Sequence, residues 1–279
     1  MRTLRVAHSP DSDDAFMFWG IASGAVKAEG LVFEQALSDI ESANAAAREG
    51  TFDLTAISVG AYPWLADRYL LLDSGASFGD GYGPILAVAL GSRAMHAEDL
   101  AGRRIAVPGL RTSAALALRL RLPEHEQVAM DFKAVGPAAK HGEVDAALVI
   151  HEGQLTANAE GLRVVEDLGR WWNGRTGLPL PLGMNAIRRD LPDDVRRKAA
   201  IAWKASIDLG LASRREALDY AMSFARGLDR DLADRFVGMY VNDWTRELGP
   251  RGREAVARFL GEGADRGLVP RVAIEYQER

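Results

Sequence analysis

The sequence predicts an α/β protein of two lobes, each a mostly parallel sheet flanked by helices, with a ligand cleft between the lobes. Three observations carry this. Short apolar runs alternate along the chain with amphipathic segments of helical period. Some of those runs, Pro84 to Leu90 above all, are apolar throughout, as strands covered on both faces are. The 279 residues, 48% hydrophobic and 26% charged, suffice for one large domain or two ordinary lobes with a core that needs no staples.

The first unit opens with a strand at Leu4–Ala7, a polar turn over 9–14 rich in helix-cap residues, and a helix from Phe16 to Gly24. A second strand is expected at Leu31–Leu37, then an alanine-rich helix from Ile40 to Glu49 closed by Gly50. Leu54–Ser58 reads as a strand running into a helix near Ala61–Leu65, and Pro84–Leu90 as a buried strand. The second unit begins with a helical turn at Ala97–Leu100. It continues with a strand at Arg104–Val107, a capped turn over 108–113 and a helix at Ala114–Leu120. Strands follow at Asp131–Val135, at Asp145–Ile150 and at Leu162–Asp167, with short helices at Pro137–His141 and Trp171–Arg175. The segment NGRTGLPLPLG, Asn173 to Gly183, reads as a rigid loop across the cleft mouth, because its prolines suit neither helix nor central strand. A strand at Met184–Arg188 leads into helices over 193–211, 214–226, 230–241 and 250–266. Crossings between lobes are expected at 84–90 and 183–188. One lobe is then 1–90 plus 187–279, the other 91–186, and a ligand belongs outside the carboxyl ends of the strands.

Composition excludes several classes. With no cysteine there is no disulfide, thiolate metal site, iron–sulfur cluster or thiol nucleophile. A net charge of −5 offers no field for nucleic acid or an acidic membrane. The chain does not open like a signal peptide, and no run approaches eighteen apolar residues, so a cytoplasmic protein without a membrane span is expected. No metalloprotease, phosphate-loop, dinucleotide or nucleophile-elbow motif occurs, so neither a metal nor a nucleotide cofactor is expected.

Three strand-to-helix turns hold the polar groups that remain: Ser12-Asp13-Asp14, Ser58 and Thr112-Ser113. Helix starts present free N–H groups and favour carboxylates or phosphates, so two such turns facing each other make an anion clamp; any one of them alone reads better as a plain helix cap, since Ser, Thr and Asp are the preferred caps. Asp13 and Asp14 repel an anion, which leaves the first turn to order a loop or bind hydroxyls. His151 ends the apolar strand at Val149-Ile150, at the edge of the expected cleft, and histidine titrates nearest neutral pH, so it is the leading general base. His8 ends the first strand and is expected near the cleft; His96, His125 and His141 lie in polar stretches or at a helix end. The glycine-rich segment 79–83 reads as a hinge or lip loop, and Trp171 and Trp172 as core or ligand-facing rings.

The opening HSPDSDDAFMF, the strand end ALVIHE, the segment WWNGRTGLPLPLG, and YVN followed by REAVARF near the end together resemble the 1,4-dihydroxy-6-naphthoate synthase family of the futalosine route to menaquinone. The resemblance spans nearly the whole chain. It implies a type II periplasmic-binding-protein fold and a carbon–carbon lyase that needs no metal or cofactor. Its substrate is cyclic de-hypoxanthine futalosine, an aryl carboxylate, and its products are 1,4-dihydroxy-6-naphthoate and dihydroxyacetone. It places the catalytic base on His151 and substrate contacts on Ala56, Ile57, Ser58, Thr112 and Ser113, with Asp14 retained beside them. The chain departs from the pattern at Asp11-Ser12-Asp13, where some members carry Cys-Pro-Asn, and after Glu152, where an aromatic is absent. Other readings are a non-catalytic solute-binding protein for a small carboxylate, the sister chorismate dehydratase of the same pathway, and a ligand-sensing domain. The leaderless start and His151 weigh against the first, Ile150-His151-Glu152 with LPLPLG against the second, and the lack of a preceding helix-turn-helix against the third.

Overall fold

The computed structural model describes residues 1–225 and 227–278. Its first sheet contains β1 (Arg2–His8), β2 (Leu31–Leu37), β3 (Leu54–Ser58), β4 (Tyr69–Leu71) and β5 (Ser77–Gly79). The second sheet contains β6 (Ile85–Ala89), β7 (Arg104–Val107), β8 (Glu126–Ala129), β9 (Ala146–Val149) and β10 (Leu162–Asp167). A long strand, β11 (Leu180–Arg188), returns to the first sheet. The strand orders are β2-β1-β3-β11-β4, with β5 also on β11, and β10-β6-β9-β7-β8. Both sheets are mixed. β11 runs antiparallel to β3, β4 and β5, and β6 runs antiparallel to β9 and β10, while the other pairings are parallel.

The helices are α1 (Ser12–Ala22), α2 (Ile40–Arg48), α3 (Ser113–Arg121), α4 (Val135–Lys140), α5 (Gly153–Thr156), α6 (Leu168–Thr176), α7 (Asp193–Ala212), α8 (Arg214–Ala221), α9 (Arg230–Tyr240), α10 (Asp243–Arg246) and α11 (Gly249–Asp265). Their starts are chemically marked. Asp39 accepts from Ser42 N, Thr112 from Ala115 N and Asp229 from Leu232 N. Of the helices described here, none is long and apolar enough to cross a membrane.

Several boundaries differ from those expected. The polar turn before Phe16 is largely the first turn of α1. Asp11 caps it with an extended backbone, and Asp13 and Asp14 sit where the helix dipole favours acids. The strand expected over 131–135 lies at Glu126–Ala129, a half-exposed edge strand without an apolar run to mark it, and Val135 instead begins α4. The three-residue strands β4 and β5 were too short to read by period. The NGRTGLPLPLG segment is no loop across the cleft mouth: it ends α6, turns at Gly177 (φ 71°) and enters β11. Pro181 is tolerated because β3 joins β11 only from Gly183 onward, so this part of the strand is paired with β5 alone. The helix expected over 214–226 stops at Ala221 and gives way to a 3-10 turn over Met222–Phe224; residue 226 lies outside the described residues.

The chain passes between the sheets at 80–84 and again at 168–179, upstream of both expected crossings. At this double crossing the backbones touch. A Cβ on Gly169 would overlap the Tyr82 carbonyl, so only glycine fits there. The expected lip loop is thus packed in place, with Tyr82 donating to the Met239 carbonyl.

One core cluster joins both sheets: Ile57, Leu71 and Phe78 from the first, Leu86, Val107 and Leu148 from the second, with Leu116, Trp172 and Phe259 from the helices between. Trp172 is fully buried, edge-on to Phe259 at 5.4 Å, which settles it as core. A second cluster fills the space under α1 and α7 (Leu4, Phe16, Phe18, Trp203, Ile207), and a third lies between the second sheet and α4. The C-terminal segment covers the edge of β4, with Leu71 N donating to Glu275 O and Gln277 N to Leu71 O.

Helix α1 is pressed onto α7 at Gly20. There Ser206 Oγ donates to Met17 O (2.7 Å) and accepts from Ile21 N (3.2 Å), and a Cβ on Gly20 would sit 2.8 Å from Ser206 Cα. Gly20→Ala is therefore expected to lower unfolding stability by about 1–3 kcal/mol through overpacking, read by denaturant titration at unchanged m-value.

Candidate active site

The carboxyl end of β3, the start of β11, the N-termini of α1 and α3, the end of β9 and one face of α9 converge on one cavity. Its wall includes Asp11, Asp13, Asp14, Ala56, Ile57, Ser58, Thr112, Ser113 and His151. The structure thus brings Asp14, Ala56, Ile57, Ser58, Thr112, Ser113 and His151 to a single cleft.

His151 follows β9 directly and has φ 54°, the one positive φ among described non-glycine residues. That conformation costs on the order of 1–3 kcal/mol and persists only where surrounding structure imposes it, which is commonest at functional sites. Phe132 stands edge-on to the imidazole at 5.5 Å. On the other side His151 Nδ1 lies 3.2 Å from Asp11 Oδ2, and that same oxygen accepts from Ser9 Oγ at 2.6 Å. Asp14 Oδ2 accepts from Ser9 N at 2.8 Å.

Asp11, Asp13 and Asp14 are all buried, with carboxylate oxygens within 4.8 Å of one another. Among the described residues only this trio gathers acids closely enough for a cation. Asp13, however, hydrogen-bonds to Asp11, and burial together with the charges of Asp11 and Asp14 pushes its pKa well above the ordinary value. The same crowding of buried negative charge disfavours ionisation of all three at once.

His8 does not line the cavity. It is fully buried against Phe18 at 5.2 Å, and both its nitrogens are engaged: Nδ1 donates to Ser9 O (2.7 Å) and Nε2 accepts from Gln35 Nε2 (2.6 Å), a tautomer assigned from the network. Burial lowers its pKa, so it is a neutral structural histidine. His96 and His141 are exposed at a helix start and a helix end; His125 faces Leu122 O and has its pKa lowered by burial.

The two expected clamp turns do face each other, with Gly60 N donating to Ser113 Oγ at 2.9 Å. The hydroxyls are not equivalent, however. Thr112 Oγ1 accepts from Ala115 N (3.1 Å) and donates to Gly109 O (3.0 Å), so it is a helix cap. Ser113 Oγ donates its proton to Leu182 O at 2.5 Å. Ser58 Oγ accepts from Asn44 Nδ2 (3.1 Å), and Ser58 N donates to Asn44 Oδ1 (2.9 Å), which leaves the Ser58 hydroxyl proton for the cavity. The N–H groups of Ser113 and Ala114, first in α3, have no place in the helix ladder and border the same space. Ala56 and Ile57 are wall residues, paired across the sheet with Asn185 and Met184.

Sequence reasoning missed Asp11, Asn44, Gln154, Asn185 and Tyr240. Asn44 left a signal, because a buried asparagine inside an alanine-rich helix is unfavourable unless it is bonded. Gln154 and Tyr240 meet only through tertiary packing, Tyr240 Oη donating to Gln154 Oε1 at 2.8 Å. Tyr240 and Phe236 of α9 give the cavity its aromatic wall.

A family profile described as menaquinone biosynthesis matches residues 4–265. A protein of Thermus thermophilus named 1,4-dihydroxy-6-naphthoate synthase is 40% identical over 269 residues, 96% of this chain and 97% of its own. One of the same name from Streptomyces coelicolor is 35% identical over 274 residues, covering 96% and 95%. A crystal structure of an Archaeoglobus fulgidus protein superposes with a TM-score of 0.89 at 43% identity, covering 96% of this chain and 98% of that one. A Candida albicans protein described as having the generic periplasmic binding protein fold superposes at 0.66 with 14% identity over 100% and 98% of the two chains, a likeness of fold alone. The two-lobed periplasmic-binding-protein architecture is thereby established.

The raised pKa of Asp13 has a stability consequence of definite sign. The folded state holds this proton more tightly than the unfolded chain, whose carboxyl titrates near 3.8. Its contribution is complete below that pH and is lost as pH rises toward the folded-state value. Asp13→Asn keeps a neutral donor to Asp11 and removes the titration. The melting temperature of the variant relative to wild type is expected to climb as pH rises above about 4; a difference independent of pH would show that Asp13 holds no extra proton.

Proposed function

The chain belongs to the menaquinone biosynthesis family, and from that premise we propose that its cavity is the active site of a 1,4-dihydroxy-6-naphthoate synthase in which His151 is the base. It is an enzyme of menaquinone biosynthesis, a carbon–carbon lyase. The non-catalytic binding-protein reading has only the fold in its favour, and the relatives named above do not favour the sister dehydratase. The proposed substrate is cyclic de-hypoxanthine futalosine, divided into 1,4-dihydroxy-6-naphthoate and dihydroxyacetone with no co-reactant. The proposed location is the cytoplasm, where a pathway of small-molecule intermediates operates.

The observation that carries this reading is the position of His151, held in a strained backbone at the cavity wall with Nε2 unbonded among the described residues. The substrate carboxylate is placed between the Ser58 hydroxyl and the N–H groups of Ser113 and Ala114, where hydrogen-bond donors and the start of α3 favour negative charge. His151 then removes a proton beside a carbonyl of the opened sugar. The carbon–carbon bond breaks, its electrons pass to the three-carbon fragment, which takes up a proton, and the remaining ring becomes aromatic. Apolar walls at Ile57, Met184 and Phe236 keep water from the charged intermediate. The division expected from the sequence, 1–90 with 187–279 (whose last residue lies outside the described set) and 91–186, is kept in outline with its borders drawn at the crossings over 80–84 and 168–179, and the two lobes close on the substrate between them.

Incubating the purified protein with cyclic de-hypoxanthine futalosine and following product mass and absorbance tests the activity; no product would refute it. His151→Gln is expected to lower kcat at least about 10²-fold, the usual contribution of a positioned base, with KM little changed. Ser58→Ala is expected to raise KM about tenfold or more, the scale of one hydrogen bond to a charged group. Thr112→Ala is expected to cost about 1 kcal/mol of stability as a lost helix cap with KM nearly unaltered, and a KM rise like that of Ser58→Ala would show that its hydroxyl binds substrate.

A further inference from the structure

Asp11 stands immediately before α1, on the first sheet's side of the cavity, and His151 immediately after β9, on the second sheet's side. Between them is a contact of 3.2 Å from Oδ2 to Nδ1. An imidazole that turns Nδ1 toward a carboxylate turns Nε2 away from it, and here Nε2 has no hydrogen-bond partner among the described residues while the ring borders the cavity. Three features make the contact more than a surface ion pair. Asp11 is only 3% exposed, so its charge is poorly solvated and seeks donors. Ser9 Oγ donates to Oδ2, and Asp13 hydrogen-bonds to the same carboxyl group, which keeps the group from rotating away. The imidazole cannot swing freely either, because its backbone is held at φ 54° and Phe132 stands edge-on to the ring. The distance is at the long end for a hydrogen bond, as such contacts often are before a substrate closes the site.

We propose that Asp11 is the positioning residue of His151: its carboxylate accepts the Nδ1 proton, so that the lone pair on Nε2 faces the substrate, and it stabilises the imidazolium formed when that proton is taken. This rests on His151 being the base. No other group does the same work. Glu152 is not among the residues lining the cavity, Asp14 Oδ2 is engaged by Ser9 N, and Asp13 is bonded to Asp11 rather than to the imidazole.

A rival role, a strap that only holds the lobes together, makes different predictions. Protein labelled with ¹⁵N in its five histidines reports tautomers through long-range nitrogen–proton spectra, with the His151 signals identified by their loss in His151→Gln. The proposal expects neutral His151 in the wild type to carry its proton on Nδ1, and Asp11→Asn to move it toward Nε2. It also expects kcat to fall about 10²- to 10⁴-fold, the upper figure being that of the same exchange in the serine-protease triad, with KM changed less than about threefold. A strap would raise KM or lower the melting temperature and leave the tautomer alone. An Nε2 proton on wild-type His151 overturns the proposal whatever the variants do, so it remains testable even if Asp11→Asn folds poorly. If Asp11→Asn keeps tautomer and kcat while His151→Gln is inactive, the proposal fails and the base reading survives. Turnover by His151→Gln at the wild-type rate removes the base reading and the proposal together.

Discussion

The chain crosses twice between two sheets, and most of the architecture follows from that constraint. A strand entered from the other sheet starts at the cleft and runs away from it. β6 and β11 are such strands: Ile85 at the start of β6 pairs with Val149 at the end of β9, and Gly183 near the start of β11 pairs with Ser58 at the end of β3. Each therefore runs against the rest of its sheet. Those other strands deliver their carboxyl ends, and the helix starts that follow them, to the same cleft. Ser58, Ser113 and His151 meet there because of strand direction. The crossings themselves need backbones to touch at Tyr82 and Gly169, and a side chain at Gly169 would force the sheets apart.

A cleft built this way gathers buried polar groups, and each must be satisfied. The solutions found here divide the labour. Thr112 and Ser113 use their hydroxyls for the cap of α3 and for Leu182 O. Asn44 engages both the backbone and the side chain of Ser58 and so directs the one hydroxyl proton that remains. In the proposed reading, an anion is then held largely by backbone N–H groups, whose positions do not depend on rotamers. Three neighbouring carboxyl groups are admitted because burial and the neighbouring charges raise the pKa of Asp13, and Ser9 donates to both Asp11 and Asp14.

Much of this was legible in the sequence, and the limits are physical. Period and caps located β2, β3 and β10 to the residue, because apolar alternation and turn residues are local properties. Edge strands such as β8 bury too little to leave a pattern, and three-residue strands have no period at all. Pro181 misled because the rule against proline in strands concerns ladder N–H groups, and no pattern reveals that β11 is paired on one side at that point. Among the site residues His151 was visible as a polar residue ending an apolar strand. Asp11 was not, since the three acids of its segment look alike in sequence, and only the fold distinguishes the one beside an imidazole from the one whose pKa is raised and the one bound to Ser9 N.

The contrast between His8 and His151 shows what the fold adds to a residue type. Both follow or end a strand at the cleft side of a sheet, and both have a neighbour for Nδ1. His8 has that nitrogen on a backbone carbonyl and its other nitrogen on Gln35, inside a ring-lined pocket that disfavours charge. Neither protonation nor deprotonation there can reach a ligand. His151 has a carboxylate at Nδ1, and its ring borders the cavity. The base role proposed for His151 draws on that asymmetry: one nitrogen held by a carboxylate, the other on the side of the cavity. In this chain the asymmetry comes from two segments about 140 residues apart, joined only because both sheets present the same ends to one cleft.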